Sequence, residues 1–391
     1  MSDSSSNAIP QYLPLRNDLA GEEPYGAPQL DVPVCLNVNE NPYEPAPEVV
    51  EAIARRVREI ATGLNRYPDR EHIELRKAFA AYLEREAGVH FEVEQLWGAN
   101  GSNEIMLQLF QAFGGPGRSA LSCDPSYSMY PEYARDTFTQ WHTIPRDDDF
   151  TVNVERTAQA IREVKPSMVV LTSPNNPTGT PLPLEDIEAL LEVCNEVDVE
   201  GALTGVHPVM IVDEAYAEFR DPGTPSALSL IERHPNLAVS RTMSKAFAFA
   251  GARVGYLAAS KGIIDAVRIV RLPYHLSALT QAAALAAFEH TDEQLSQVDH
   301  LRDLREHSAR WLAKQTYKGK PLQVAPSQSN FILFGGHFDK RERIFDELLK
   351  RGVLIRVVGP QGWLRVCVGT DAEMEQFHKA LTEVLRIVEA E

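Results

Sequence analysis

The chain has 391 residues, of which 44% are hydrophobic and 24% are charged, as in ordinary globular domains. Its formal net charge of −17 argues against general binding to nucleic acid or to an anionic membrane surface. An anionic small molecule is not excluded, because arginines gathered in one pocket matter more than the total charge. The sequence has no run of 18 apolar residues, so we expect no membrane span.

The first eleven residues are polar, acidic and rich in serine. They lack the basic and apolar regions of a secretion signal, so we expect a frayed N-terminus and a cytoplasmic protein. The four cysteines lie far apart, and their spacing fits no metal site. We expect buried free thiols rather than disulfides. These cysteines are Cys35, Cys123, Cys194 and Cys367.

The first hundred residues predict a short strand over 34–38, which runs into a turn at Asn39-Glu-Asn-Pro-Tyr43. Apolar residues three or four apart predict a helix over 48–60 and a second helix that ends at Gly88. A loop of small residues at 98–104 opens a third helix, with Ser102 as the expected N-cap. Most such loops only cap a helix, but free N–H groups there also suit a phosphate.

The middle of the chain alternates short, continuously apolar runs with helical patterns, which predicts a mostly parallel α/β sheet. A helix is predicted over 184–194 and a surface loop over 197–208. Loops rich in polar residues follow the strands, and ligands gather at the carboxyl ends of such strands. The predicted strands are 119–122, 168–171, 209–212, 237–239 and 256–258.

From about residue 261 the pattern becomes helical, with an alanine-rich helix over 278–288 and a long amphipathic helix over 292–315. A separate α/β lobe follows. Thr370-Asp-Ala-Glu373 is a capping box before the last helix. The other elements predicted in this lobe are strands at 331–334, 353–357 and 364–368 and a helix at 344–351.

Lys245 follows the predicted strand 237–239, and no charged residue occurs from 246 to 252. A single lysine is usually a surface residue whose stem packs on apolar neighbours. Its position beside loops that each end another strand favours a different interpretation. An amine withdrawn from water has a lowered pKa and can bond covalently to a carbonyl ligand.

The other polar residues of these loops suit a flat, charged ligand. Asp213 could face a cationic nitrogen, and Tyr127 could stack on a ring, although these residues could also cap a helix or pack in the core. Tyr216 and Asn176 could hydrogen-bond a phenolate oxygen of the ligand. A phosphate group could be bound by the last four candidates, which are Ser102, Thr242, Ser244 and Arg253. Together with Lys245, this inventory fits pyridoxal 5′-phosphate, an electron sink held by a lysine and an acidic partner.

Three motifs carry a family resemblance, namely SPNNPTG at 173–179, DEAY at 213–216 and SKAFAFAGARVGY at 244–256. The chain resembles the fold-type I, class I/II pyridoxal-phosphate aminotransferases over nearly its full length. Within them it is most similar to the histidinol-phosphate aminotransferases. Further matching segments occur in the expected order: LNVNENPY (36–43), NRYPD (65–69), NGSNE (100–104), PSYSMY (125–130), SQSNFILF (327–334), GVLIR (352–356) and LRVCVGT (364–370).

The resemblance implies a large domain with a mostly parallel seven-stranded sheet flanked by helices, and a small α/β domain built from both chain ends. We expect an N-terminal arm and part of the small domain over 1–47, the large cofactor-binding domain over 48–290 and the C-terminal small domain over 291–391. One departure is Asn103, where relatives often have aspartate. Its contact with the phosphate would come from the backbone N–H, so the different side chain puts little of the predicted phosphate site in doubt.

The resemblance also implies a role for each matching residue. Lys245, Asp213 and Tyr216 would be catalytic, with Lys245 bonded to the cofactor and Asp213 at its ring nitrogen. Tyr67 would reach the cofactor phosphate of a second subunit, which implies a homodimer. The other implied contacts are Ser102, Asn103, Thr242, Ser244 and Arg253 to the phosphate, Tyr127 and Asn176 to the ring, and Tyr25, Asn39, Arg356 and Arg365 to the substrates.

The implied reaction is transamination between L-histidinol phosphate and 2-oxoglutarate, which gives imidazole-acetol phosphate and L-glutamate in histidine biosynthesis. An aromatic amino-acid aminotransferase shares almost all the motifs and remains an alternative. A decarboxylase of a phosphorylated amino acid on the same fold is a second alternative. A sensor on this fold would need an attached DNA-binding module, which we do not expect here.

Overall fold

A seven-stranded sheet lies at the centre of the molecule, whose computed structural model describes residues 13–390. The strands are β1 (Val34–Cys35), β2 (Leu96–Ala99), β3 (Ser119–Asp124), β4 (Gln140–Pro145), β5 (Met168–Thr172), β6 (Val209–Asp213), β7 (Leu237–Thr242), β8 (Gly255–Ala259), β9 (Thr316–Tyr317), β10 (Lys320–Pro321), β11 (Gln323–Val324), β12 (Phe331–Gly335), β13 (Val353–Leu354) and β14 (Leu364–Cys367).

Helices cover the sheet and form most of the C-terminal part. They are α1 (Pro47–Ile60), α2 (Ile73–Ala87), α3 (Ser102–Phe113), α4 (Tyr130–Asp136), α5 (Val154–Val164), α6 (Leu184–Glu196), α7 (Lys261–Val270), α8 (Ala278–Glu289), α9 (Thr291–Leu295), α10 (Val298–Leu312), α11 (Arg341–Lys350) and α12 (Asp371–Ala390).

The large sheet has the strand order β2-β8-β7-β6-β5-β3-β4. Strand β8 runs antiparallel to both of its neighbours, and the pairs from β7 to β4 are parallel. Along β6, Met210 and Val212 pack into one apolar cluster while Val209 and Ile211 pack into another. Both faces of the sheet are therefore buried, which explains the continuously apolar strands of the sequence. The predicted parallel α/β sheet is confirmed.

A second apolar core joins the two ends of the chain. Strand β1 pairs in parallel with β13, so Val34 and Leu36 pack with residues of β12, β14 and α12. A three-stranded antiparallel sheet, β11-β12-β14, lies in the same part. This is the small α/β domain built from both chain ends. The exact domain boundaries stay a prediction.

Some expected elements differ in detail. The helix expected over 292–315 is two helices, α9 and α10, with Ser296 and Gln297 between them. Helix α3 has Gly101 as its N-cap, at φ +82°, and Ser102 is its first residue. The strand expected over 34–38 ends at Cys35. Asn39, just beyond that range, is left-handed at φ +56°, which no strand adopts.

Other expectations agree with the structure. Glu373 accepts from the Thr370 N–H at 2.7 Å, and Thr370 Oγ1 accepts from the Glu373 N–H at 3.3 Å, so the capping box is confirmed. Residues 200–207 of the surface loop expected over 197–208 are exposed, whereas Val197, Val199 and Pro208 are buried. Among the cysteines, which are all free, Cys35 is exposed rather than buried because strand β1 leaves one face open. The frayed segment expected at 1–11 lies outside the described residues.

No helix within residues 13–390 is long and apolar enough to cross a bilayer.

Candidate active site

A cavity of about 250 Å³ lies at the carboxyl ends of β3, β5, β6 and β7. It is closed by segments from both ends of the chain. With one exception, Tyr67, the site residues expected from the sequence all line it. They are Tyr25, Asn39, Ser102, Asn103, Tyr127, Asn176, Asp213, Tyr216, Thr242, Ser244, Lys245, Arg253, Arg356 and Arg365.

Lys245 follows β7 and extends into this cavity, where its Nζ donates a 3.1 Å hydrogen bond to the Val38 carbonyl. Burial lowers the pKa of this amine to about 8. The guanidinium of Arg365 acts in the same direction, whereas Cys367 and Glu40 oppose the shift. A substantial fraction of Lys245 is therefore neutral near pH 7.5 and able to act as a nucleophile.

Asp213 is the last residue of β6 and is buried. Its Oδ2 accepts a 2.8 Å hydrogen bond from the Tyr130 hydroxyl, and its Oδ1 accepts from the Ala215 N–H at 3.2 Å. Burial raises the pKa of this carboxyl to about 6. Within the described part of the chain it makes no salt bridge, so a cationic nitrogen in the cavity would stabilise its charged form.

The hydroxyl of Tyr216 is approached by two side-chain amides. Asn39 Nδ2 donates to Tyr216 Oη at 2.9 Å, and Asn176 Nδ2 lies 3.5 Å from the same oxygen. Burial raises the pKa of Tyr216 to about 12, whereas Arg365 and Asn39 lower it. Because its oxygen accepts from the amides, the Tyr216 O–H is available to donate to an anionic oxygen in the cavity.

An anion-binding corner forms where the first turn of α3 meets the loop after β7. Arg253 donates to Ser244 Oγ at 3.3 Å, and the Thr242 hydroxyl donates to the same oxygen at 3.0 Å. A Cβ atom at Gly255 would lie 2.3 Å from both Gly101 C and Ser102 N, so only glycine allows this approach. The N–H groups of α3 and a guanidinium without a carboxylate partner among the described residues thus converge on one corner.

Arg356 and Arg365 lie side by side and both line the cavity. Each donates its backbone N–H to the other's carbonyl at 3.0 Å, the pattern of a directly opposed antiparallel pair. Such pairs place both side chains on one face. Arg365 donates to Asn37 O at 2.9 Å and to Asn176 Oδ1, and Arg356 donates to Gly26 O at 3.3 Å. Within residues 13–390 neither arginine pairs with a carboxylate, so both can bind an anion.

Of the remaining expected residues, three line the cavity and one, Tyr67, does not. The Tyr127 hydroxyl donates to Asn103 Oδ1 at 3.4 Å, and Tyr25 Oη accepts from Ser128 Oγ at 3.3 Å. The Tyr67 side chain is 79% exposed and its ring stacks on Tyr274, with centroids 4.3 Å apart.

Two residues that were not predicted from the sequence, Tyr130 and Cys367, contact the site residues directly. The Tyr130 hydroxyl donates to the buried Asp213 carboxylate, a contact that no sequence motif pointed to. Cys367 hydrogen-bonds Asn39, which is 328 positions away in the sequence. Only the pairing of the chain ends brings these two residues together, so no local pattern could have revealed the contact.

A family model for aminotransferase class I and II matches residues 32–381. The chain belongs to the class I and II aminotransferase family. One relative within this family is 76% identical over 389 residues, the full length of both chains, and is named histidinol-phosphate aminotransferase, from Bifidobacterium adolescentis. A second protein of that name, from Thermobifida fusca, is 54% identical and covers 94% of this chain and 95% of its own.

The fold is similar to that of a solved aminotransferase structure. The histidinol-phosphate aminotransferase of Sinorhizobium meliloti, in complex with pyridoxal-5′-phosphate, matches with a TM-score of 0.78 and 26% identity. The match covers 91% of this chain and 92% of that one. The expected fold-type I architecture is confirmed by this similarity and by the central sheet.

Proposed function

We propose that this aminotransferase uses pyridoxal 5′-phosphate to transfer an amino group between L-histidinol phosphate and 2-oxoglutarate, in histidine biosynthesis. The observation that carries the proposal is the pair of arginines, Arg356 and Arg365, without acidic partners in the described chain and in the same cavity as Lys245. The histidinol-phosphate aminotransferases that share 76% and 54% of this sequence support the choice of substrate.

The residues of the cavity fit the cofactor. Lys245 supplies the amine that would bond to its aldehyde carbon, and Asp213 supplies a carboxylate that lacks a cation until the pyridinium nitrogen is bound. Tyr216 and Asn176 would contact the ring oxygen, and Tyr127 would lie against the ring. The bound cofactor supplies an electron sink for the bonds at the substrate carbon. The phosphate holders are Ser102, Asn103, Thr242, Ser244 and Arg253.

Among the residues that line the cavity, four are cationic and one, Asp213, is acidic. The four are Lys245, Arg253, Arg356 and Arg365. This local excess of positive charge, in a chain of net charge −17, favours dianionic substrates. One guanidinium can bind a carboxylate or a phosphate through a fork of N–H groups, so Arg365 and Arg356 can accept glutamate in one half-reaction and a phosphate monoester in the other.

Proton transfer falls to Lys245. When it is not bonded to the cofactor, Lys245 Nζ would be a free base within the cavity, able to hold and move a proton of the substrate. The lowered pKa of this amine suits a general base near neutral pH. Tyr25 and Asn39, which line the same cavity, complete the proposed substrate contacts.

The proposal includes a cytoplasmic homodimer in which Tyr67 reaches the cofactor phosphate of the second subunit. Exposed apolar residues near Tyr67 support it, since such a patch is typical of an interface. They include Leu64, Leu272 and Tyr274. Sedimentation of the purified chain should give twice its mass of 43.5 kDa. A monomer would contradict this part alone.

The substrate is tested by comparing kcat/KM for L-histidinol phosphate with kcat/KM for phenylalanine and tyrosine, using 2-oxoglutarate as the acceptor. We expect kcat/KM to be at least about 100-fold higher for the phosphorylated substrate. Phenylalanine and tyrosine have no phosphate, so they cannot form the charge-assisted hydrogen bonds to the arginine. A preference for the aromatic amino acids would overturn the substrate and leave the cofactor in place.

A further inference from the structure

Cys367 is a buried thiol at the end of β14, and both hydrogen bonds of its sulfur are with one residue. Its Sγ accepts from the Asn39 backbone N–H at 2.9 Å and donates to Asn39 Oδ1 at 3.0 Å. Burial raises the pKa of this thiol, which therefore keeps the hydrogen that it donates. Cys367 thus contacts both the backbone and the side chain of Asn39.

The contact with the side chain decides which way the Asn39 amide faces. An amide has an accepting oxygen and a donating nitrogen, and rotation by 180° exchanges them. Because Asn39 Oδ1 accepts from Cys367, its Nδ2 is turned to the opposite side, where it donates to Tyr216 Oη at 2.9 Å. With the amide reversed, two oxygens would face each other at Tyr216 unless the hydroxyl itself turned round to donate.

A second amide is held in the same manner. Arg365 donates to Asn176 Oδ1, which leaves Asn176 Nδ2 facing Tyr216. Arg365 and Cys367 are two residues apart on β14, so their side chains leave the strand on the same face. Strand β14 therefore fixes two amides, and both present N–H groups to the Tyr216 oxygen. The hydroxyl hydrogen is left free to point into the cavity.

We propose that Cys367 is a positioning residue of this enzyme, which holds the Asn39 amide with its nitrogen towards Tyr216 and thereby directs the Tyr216 O–H at the cofactor. The inference rests on the proposed cofactor and goes beyond it. An O–H whose oxygen accepts additional N–H bonds is a stronger donor. A strong donor stabilises an anionic cofactor oxygen, so the nitrogen that links Lys245 to the cofactor should lose its proton at lower pH.

The test is a pH titration of the visible absorption band of the holoenzyme, without substrate. In Cys367→Ala the midpoint should move upward by about half a pH unit or more, because the Tyr216 O–H becomes a weaker donor. Cys367→Ser retains a donor and an acceptor and should return the midpoint towards that of the wild type. No shift in Cys367→Ala, or a serine variant no better than the alanine variant, would overturn the proposal.

Cys194→Ala is the matched control for the loss of a buried sulfur. Cys194 is also fully buried and free, but it packs in the main apolar core. The Cys194→Ala substitution should leave the midpoint of the pH titration unchanged. If both alanine variants shift it equally, the effect is general loosening of the fold and the proposal fails.

A double-mutant cycle separates action through Asn39 from a direct effect of the thiol on Lys245. Asn39→Gly removes the amide and suits the left-handed backbone at this position. Adding Cys367→Ala to Asn39→Gly should then produce no further shift. A full additional shift would show that Cys367 acts directly on Lys245 and would contradict the positioning role. A wild-type protein without any visible band would instead contradict the proposed cofactor.

Discussion

The Tyr130 hydroxyl donates a 2.8 Å hydrogen bond to Asp213 Oδ2, and both residues line the cavity that contains Lys245. This bond lowers the pKa of the carboxyl, against the larger effect of burial that raises it to about 6. Tyr130 therefore helps to keep Asp213 charged at neutral pH. A charged Asp213 is what a protonated pyridine nitrogen requires.

Tyr130→Phe should raise the pKa of Asp213 further and weaken the affinity for pyridoxal phosphate about tenfold or more, since hydrogen bonds to charged groups contribute about 1.5–3 kcal/mol. The acid limb of the pH–activity profile should also move upward. Tyr133→Phe is the control, because the buried Tyr133 hydroxyl has no hydrogen-bond partner among residues 13–390. Equal losses in the two variants would contradict the role given to Tyr130.

Asp213 should destabilise the cofactor-free protein above about pH 6. Its folded-state pKa is raised from 3.8 to about 6, so the native state binds more protons between these values and stability falls as the pH rises through them. The cost reaches about 3 kcal/mol and is constant at higher pH. Urea unfolding of apo Asp213→Asn should show a gain over wild type at pH 8 that is absent near pH 4, with loss of activity in the holoenzyme. A gain that is the same at both pH values would point to another cause.

The capture of the cofactor by Lys245 should depend on pH. With a pKa of about 8, about a quarter of this amine is neutral at pH 7.5, whereas about 0.1% would be neutral at the ordinary pKa of 10.5. The rate at which the apoprotein develops the visible band should therefore rise with a midpoint near pH 8. Lys245→Ala should show neither the band nor transamination, and turnover by that variant would overturn the assignment of Lys245.

Arg356 should contribute more to kcat/KM for L-histidinol phosphate than to kcat/KM for phenylalanine. Arg356→Ala removes the guanidinium beside Arg365 but keeps the backbone pair between the two residues. We expect kcat/KM for L-histidinol phosphate to fall about 10- to 100-fold, as for a lost charge-assisted hydrogen bond, with a much smaller loss for phenylalanine. Equal losses for both substrates would show that Arg356 does not recognise the phosphate.

Gly255 should be intolerant of a side chain. In Gly255→Ala the new Cβ would lie 2.3 Å from the backbone of Gly101 and Ser102, so the first turn of α3 must move. We expect a loss of about 1–3 kcal/mol in unfolding free energy and weaker binding of pyridoxal phosphate. Gly251→Ala, in the segment just before β8, has open space around its Cβ position and should alter neither quantity.

The sequence predicted five of the seven strands of the large sheet, because each of these contains a short apolar run that is buried. The two edge strands, β2 and β4, were missed. Strand β4 is partly exposed, so its residues do not form an apolar run, and the end of the buried β2 was interpreted as the start of the small-residue loop at 98–104. The break between α9 and α10 was also missed. The helical spacing of apolar residues continues across Ser296 and Gln297, and neither residue is a strong helix breaker.

Some residues of the candidate site were predicted from the sequence and others were not. Residues within motifs, such as Asp213 and Lys245, were identified from their position after strands, and the structure brings them together in one cavity. Tyr130 and Cys367 were not identified, because their contacts depend on the packing of α4 and β14 against distant segments. The role of each site residue stays a prediction until the variants above are measured.

The cavity is bounded by the first and the last segments of the chain, with Lys245 between them in the sequence. Ribosomal synthesis runs from the N-terminus, so the central sheet and its lysine emerge well before β14. A nascent or truncated chain that ends before residue 356 would carry the reactive amine without Arg356 and Arg365. Because of this order of synthesis, the proposed substrate-binding arginines are the last part of the cavity to be made.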